Sequence, residues 1–216
     1  MHKQTIIDFK ELGLRHLFTK PIKELKTRNL DQVEALLREV EAYQKQGFYA
    51  VGYVSYEAAP AFEKKFAVHP APLMGEYLIY FTIHEEVETL PFPEDYEAVD
   101  LPANWQEEVE APAYQKAIET IQHHIRQGDT YQVNYTVQLS QELKSDPLAI
   151  YNRLVVEQKA HYNAFIQHDD VSILSISPEL FFEQDDRLLT TRPMKGTTGR
   201  GLTNQADLQE AAWLEA

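Results

Sequence analysis

Twelve residues, Thr190 to Gly201 (TTRPMKGTTGRG), gather three glycines, four threonines and the cations Arg192, Lys195 and Arg200. Glycine lets a backbone approach a ligand, and exposed N–H groups with threonine hydroxyls hold carboxylate or phosphate oxygens. In a chain of formal net charge −14, three cations in one loop make a local trap for a small anion. The same composition also suits a solvated, glycine-rich hairpin loop. It is not a P-loop, because Lys195 precedes Gly196, whereas that motif places Lys after its second glycine. Lys195 is a candidate nucleophile. The role needs a neutral amine, which burial or nearby cations such as Arg192 and Arg200 favour; a lone lysine is otherwise a solvated charge. Glu179, inside the otherwise apolar SISPELFF, is a candidate general acid or base. A carboxylate in that position is otherwise ion-paired, the reading favoured from sequence, or exposed on a strand edge.

Other constellations carry less. His123 and His124 are adjacent and point to different faces of a helix, so they do not chelate one ion. His161 and His168 lack carboxylates at supporting spacing, and neither H-E-x-x-H nor G-x-S-x-G occurs. The absence of cysteine removes disulfides, thiolate metal sites and thiol nucleophiles, and fits a reducing compartment. With 20 Lys plus Arg against 34 Asp plus Glu, the surface repels phosphate backbones and anionic lipid, so no nucleic acid or membrane partner is expected. The longest nearly apolar run, Phe48 to Tyr56, is far too short to span a bilayer, and MHKQTIIDFK has no signal-peptide h-region. The expected compartment is the cytoplasm.

The elements that must position these residues are legible in the pattern. Val33, Leu36, Leu37, Val40 and Tyr43 recur at helical spacing, and Gly47 stands where a left-handed C-cap belongs. They predict a helix from about Asp31 to Gln46, capped by Asn29 or by Asp31 with Glu34. FYAVGYVSY (Phe48–Tyr56) reads as a buried strand, followed by a short helix over 58–66 and a strand over 76–83. The proline-rich, acidic stretch from Glu85 to Pro112 reads as a connection, with at most a short strand near Trp105. Tyr114, Ala117, Ile118, Ile121 and Ile125 predict a second helix ending at Gly128. TYQVNYTVQLS then alternates strictly between apolar residues and uncharged polar ones, the pattern of a strand. Asp146 and Pro147 open a further helix. Strands over 162–167, 171–176, 180–183 and 187–191 follow, with turns at Asp169-Asp170 and Asp185-Asp186, and a helix runs from Gln205.

Four segments stand in a recognisable order: GYVSYEAA (52–59), IRQGDTYQVNYT (125–136), SPELFF (177–182) and TRPMKGTTGRG (191–201). Over nearly its whole length the chain resembles the chorismate-utilising enzymes. That family includes anthranilate synthase component I, aminodeoxychorismate synthase component I, isochorismate synthase and salicylate synthase. Anthranilate synthases typically read P-I-A-G-T where this chain reads Pro193-Met194-Lys195-Gly196-Thr197. Aminodeoxychorismate synthases read P-I-K-G-T, so the chain is most similar to that branch, the para-aminobenzoate synthase component I enzymes.

The resemblance implies an α+β fold with two antiparallel sheets packed face to face and helices outside. It implies amination of chorismate to 4-amino-4-deoxychorismate with glutamine-derived ammonia, for 4-aminobenzoate and folate synthesis. Lys195 would attack C2 while the C4 hydroxyl leaves, Glu179 would serve as general acid and later as base, and ammonia adding at C4 would expel the lysine. Gly196 and Thr197 match the substrate-contacting loop. A dianionic substrate suits a Gly/Thr/Arg loop, and a poor hydroxide leaving group needs a proton donor. The implied partner is a glutamine amidotransferase subunit or domain. The implied cofactor is Mg²⁺, with ligands beyond residue 216, so no metal site is expected within this chain.

The chain also departs from the family. His161–Phe165 replaces the P-S-P-Y-M segment of tryptophan-inhibited relatives, which argues against tryptophan feedback. The family continues past Ala211–Ala216, so the chain is expected to be an N-terminal portion, inactive alone and prone to self-association through uncovered sheet. Residues 1–90 then form an N-terminal subdomain, 91–112 a connection, and 113–216 the start of the chorismate-binding region. Two other readings remain open: another chorismate enzyme such as anthranilate synthase, and a non-catalytic module that docks a glutaminase.

Overall fold

In the computed structural model, which describes residues 3–69 and 77–215, β1 (Gln4–Phe9) and β2 (Leu14–Phe18) are joined by a 3-10 turn closed by Gly13 at φ 62°. β3 (Lys23–Thr27) leads into α1 (Leu30–Gln44), where the Asn29 side chain accepts a hydrogen bond from the Asp31 N–H at 3.0 Å. Asp31 lies inside the helix, so Asn29 is the cap. β4 (Tyr49–Val54) is less buried than expected, with Tyr49 44% and Val54 42% exposed, because it forms an edge of its sheet. A 3-10 turn over Tyr56–Ala61 replaces the helix expected over 58–66. Pro60 lies inside it, and proline removes a donor and crowds the preceding turn, which stops α-helical bonding.

β5 (Ile79–His84) follows; Glu76, the expected start of this strand, lies outside the described residues. β6 (Glu88–Thr89) and β7 (Gln106–Glu107) are short. α2 (Ala111–Gln127) ends at Gly128, φ 80°, and β8 is only Leu139–Ser140. α3 (Pro147–Gln158) is capped by Asp146, whose Oδ1 accepts from the N–H groups of Leu148 and Ala149 at 2.9 and 3.1 Å. β9 (Tyr162–His168), β10 (Val171–Ser177), β11 (Leu180–Asp185) and β12 (Leu188–Arg192) occupy the expected positions, with Asp169 and Asp186 at φ 46° and 49° in the turns. α4 (Asn204–Glu215) follows the expected C-terminal helix; Ala216 lies outside the described residues.

The fold is mixed α and β, and the strand pairs among the described residues are antiparallel. The chain divides into two units, Met1–Tyr96 with Tyr151–Ala216, and Glu97–Ile150. In the first, a five-stranded sheet of order β10-β9-β1-β2-β6 packs against a three-stranded sheet of order β3-β5-β4. Period-two alternation sorts the side chains between the faces. Ile79, Phe81 and Ile83 of β5 meet Val33, Leu36, Leu37 and Val40 of α1 on the outside. Their neighbours Tyr80, Thr82 and His84 turn inward. There the His168 ring stacks on Tyr80 at 4.1 Å and its Nε2 lies 3.0 Å from the Tyr53 hydroxyl, while Phe18 and His84 approach to 5.2 Å. Gly52 in β4 is required, since a Cβ there would lie 1.9 Å from the Tyr80 carbonyl oxygen.

On the outer face of the five-stranded sheet, Ile6 and Phe165 face α3, where Tyr151 and Val155 are buried. Asp8 is fully buried there. Tyr151 donates to its Oδ2 at 2.6 Å, the Arg15 Nε lies 3.3 Å from Oδ1, and Arg15 Nη2 donates to Asn152 Oδ1 at 2.9 Å. Burial raises the Asp8 pKa, and the Tyr151 hydrogen bond and Arg15 charge partly oppose it.

The second unit contains α2 and a largely extended stretch. TYQVNYTVQLS forms a strand only at Leu139–Ser140, paired with Gln106–Glu107 near Trp105, instead of along its whole length. Alternation specifies two faces, but a ladder also needs a partner edge, and among the described residues only β7 supplies one. Tyr131 is therefore 91% exposed, while Tyr135 reaches Tyr114 of α2 at 5.6 Å. No helix among the described residues is long and apolar enough to cross a membrane.

Two measurements follow from the buried polar groups. Tyr151→Phe should leave the Asp8 carboxylate short of a donor and destabilise the chain by about 1–3 kcal/mol, read as a lower urea midpoint. Burial holds His168 and His84 below the ordinary histidine value of 6.5. The unfolded chain therefore takes up protons first as pH falls. This stability is complete above that value and is lost as pH drops through the folded values, so the urea midpoint should decline as pH falls below 6.5. His168→Gln should flatten the decline, and an unchanged profile would show that His168 makes no contribution.

Candidate functional site

The β11–β12 hairpin places the two expected catalytic residues. Leu180 pairs with Arg192, so Glu179, one residue before β11, and Lys195, three residues after β12, flank the same open end of the hairpin. A register shift between Leu180 and Glu183 bends the ribbon near that end. Glu179 is exposed, and its turn is local: its N–H donates to the Ser177 hydroxyl oxygen at 3.2 Å, and that hydroxyl lies 3.1 Å from its carbonyl. Glu179 lies in the bend that leads into β11. Lys195, Gly196 and Thr197 are also exposed, and no hydrogen bond or ion pair among the described residues joins Glu179 to Lys195. Phe181, Leu188 and Leu189 leave much of the ribbon's apolar surface uncovered, at 85%, 67% and 61% exposure.

The loop after β12 is held by α4. Thr198 donates to Glu210 Oε2 at 2.5 Å, and a Cβ on Gly196 would meet Leu214 at 3.2 Å. Arg200 donates through Nε and Nη2 to both oxygens of Asp207 at 2.6 Å each, and Asp207 Oδ1 also accepts the Gly201 N–H at 3.0 Å. The Arg200 hydrogen bonds, then the Gly201 N–H, hold the Asp207 carboxyl below its ordinary value. Arg192 is engaged as well: its Nη1 donates to Glu11 Oε2 and lies 3.5 Å from the Tyr162 hydroxyl. Both arginines expected as cationic neighbours of Lys195 are paired with carboxylates. The loop is a structured turn that carries Lys195 between two ion-paired arginines.

Glu11, Tyr162, Asp207 and Glu210 were not among the sequence-derived site residues. Asp207 had a local signal, since Thr203 caps α4 by accepting the Ala206 N–H at 3.2 Å and so fixes which residues fall in its first turn. Glu11 had none, because 181 positions separate it from Arg192. Among the described residues no three His, Cys, Asp or Glu side chains gather to hold a metal ion. These residues do not fit a Mg²⁺ site.

The profile of the chorismate binding enzyme family matches residues 3–216. Similar proteins include aminodeoxychorismate synthase component 1 of Bacillus subtilis (strain 168), 38% identical over 94 residues, which is 44% of this chain and 20% of that protein. The protein of the same name from Salmonella typhimurium is 33% identical over 111 residues, 51% of this chain and 24% of the relative. An anthranilate synthase component 1 of Haloarcula marismortui is 30% identical over 105 residues, 49% of this chain and 22% of the relative. The matched part of the chain therefore spans at most about a quarter of these relatives' lengths.

The loop contacts are open to test. A Cβ on Gly201 would fall 2.1 Å from the Asp207 nitrogen and 2.4 Å from the Ala206 carbonyl carbon, both backbone atoms. Gly201→Ala should therefore push the loop off α4 and speed hydrogen exchange at amides 196–203. Asp207→Ala should act in the same direction but more weakly, since only an exposed pair and one N–H contact are lost. Unchanged exchange in both variants would show that α4 does not support the loop.

Proposed function

The chain belongs to the chorismate binding enzyme family, and from that premise we propose that it takes chorismate and aminates it at C4 with ammonia from a glutamine amidotransferase. One observation carries the choice of reaction: a lysine, Lys195, precedes Gly196-Thr197 and shares the open end of one hairpin with Glu179. The Lys195 Nζ forms a bond to C2 as both ring double bonds shift and the C4–O bond breaks, and Glu179 gives its proton to the departing oxygen, which leaves as water. Ammonia then bonds to C4, both double bonds shift back, the C2–N bond breaks, and the lysine leaves as an amine. A carboxyl group placed as proton donor offsets the poor leaving ability of hydroxide, and the lysine divides one displacement into two easier steps. Gly196 and Thr197 bind the substrate carboxylates through N–H and hydroxyl groups. Names among the relatives support both amination to aminodeoxychorismate and anthranilate formation, and Lys195 favours the first.

The exposed apolar faces of the β11–β12 ribbon, and of α4 with Leu208 71% and Trp213 67% exposed, favour a second reading. In it the chain is an interaction module that docks a glutaminase or a second copy of itself. Titration calorimetry with chorismate separates the two, because the module reading expects no heat. Denaturing mass spectrometry after incubation with chorismate should show an adduct of chorismate minus water on Lys195. Lys195→Ala should abolish the adduct and retain binding, and Lys195→Arg should not restore it, because guanidinium stays protonated. Glu179→Gln should slow adduct formation without weakening binding. An adduct on another residue, or one that survives Lys195→Ala, would remove the nucleophilic role.

A further inference from the structure

We propose that Glu11 is a positioning residue for the Lys195 loop, acting with Tyr162 as a clasp on Arg192 at the point where β12 ends. Glu11 sits in the 3-10 turn between β1 and β2. That turn is tied down on three sides: Gly13 closes it with an N–H to Lys10 O bond of 3.1 Å, Lys10 N–H donates to His161 O at 3.0 Å, and Lys10 Nζ reaches Val155 O at 3.0 Å. Tyr162, whose ring packs edge-on against Phe9 at 5.6 Å, donates its hydroxyl to Glu11 Oε2 at 2.9 Å. The same Oε2 accepts from Arg192 Nη1, and His161 Nδ1 lies 3.5 Å from Oε1. The Glu11 carboxylate is thus the meeting point of two strands of the large sheet and the end of the ribbon.

The clasp acts on direction. Arg192 is followed by Pro193, whose ring fixes its own φ and restricts the backbone of the preceding residue to extended conformations. Holding the Arg192 side chain therefore sets the heading of the chain over the next three residues, which lead to Lys195. As a stability element the contact is weak, because Arg192 and Glu11 are 56% and 37% exposed and exposed pairs contribute little. Its effect is local, confined to how often the loop swings away from the sheet. It also occupies the Arg192 guanidinium, which leaves Lys195 as the cation the loop presents.

The role rests on the reading of Lys195 as the reacting residue, but the clasp is measured without chorismate. Trypsin cleaves after Lys195 when the loop opens, whereas Arg192 is protected by Pro193. Under conditions where opening and closing are fast, the cleavage rate follows the open population. Glu11→Ala should raise cleavage after Lys195, followed by mass spectrometry, by about two- to fivefold. Tyr162→Phe, which deletes one donor to Glu11, should raise it by a smaller factor. Glu11→Arg combined with Arg192→Glu should return it towards the unsubstituted rate, a rescue that general loosening of the β1–β2 turn would not produce. Equal cleavage in Glu11→Ala and the unsubstituted chain, or no recovery in the exchanged pair, overturns the proposal. In parallel, chorismate titration should show weaker binding in Glu11→Ala and recovery in the exchanged pair. If the unsubstituted chain does not bind chorismate, the proposed function fails while the proteolysis still reports on the clasp.

Discussion

The register of β1 against β9 is the constraint on which the rest of the first unit depends. β1 lies between β2 and β9, so it joins the start of the chain to strands more than a hundred and fifty residues away, with Ile6 opposite Phe165 and Asp8 opposite Asn163. A slip of one residue would turn every side chain to the opposite face. Asp8 would leave Tyr151 and Arg15 and enter the layer between the sheets, and Ile6 would leave the face covered by α3. The correct register is the arrangement in which buried Asp8 has the Tyr151 hydroxyl as donor and the Arg15 charge beside it. Antiparallel pairing then carries this register into β10.

The layer between the two sheets is aromatic and polar instead of aliphatic. His168, Tyr53, Tyr80, His84 and Thr82 meet there, with ion pairs from Lys3 to Glu24 and from Lys26 to Asp169 at its margins. The aliphatic packing lies outside, between each sheet and its helix. Rings supply buried area, and their polar atoms oblige specific partners, so this layer aligns the sheets more narrowly than methyl groups would.

Around Lys195, charge has been spent on structure. Arg200 is bound to Asp207, Arg192 to Glu11, and Thr198 to Glu210, so the loop's polar groups hold it against α4 and the large sheet. The arrangement leaves Lys195, Gly196 and Thr197 exposed beyond the hairpin's open end, where Glu179 is exposed as well. A preorganised loop loses less freedom when a ligand binds.

Sequence periodicity alone located α1, α2, the helix after Asp146, the four strands from Tyr162 to Arg192 and the turns at Asp169 and Asp186, because each depends on neighbours within a few positions. The segments from Thr191 to Gly201 and from Ser177 to Phe182 likewise marked the family. Local pattern failed where the outcome depended on a distant partner. The alternation from Thr130 to Ser140 described an extended chain but could not supply the edge it needed, and β4 read as buried until its place at a sheet edge exposed it. Composition likewise showed Arg192 and Arg200 as cations but not what they pair with. Their carboxylate partners, one 181 positions away and the other on the next helix, are brought to them only by the tertiary structure. The pairing of charges is set by distance in space, which the order of residues does not state.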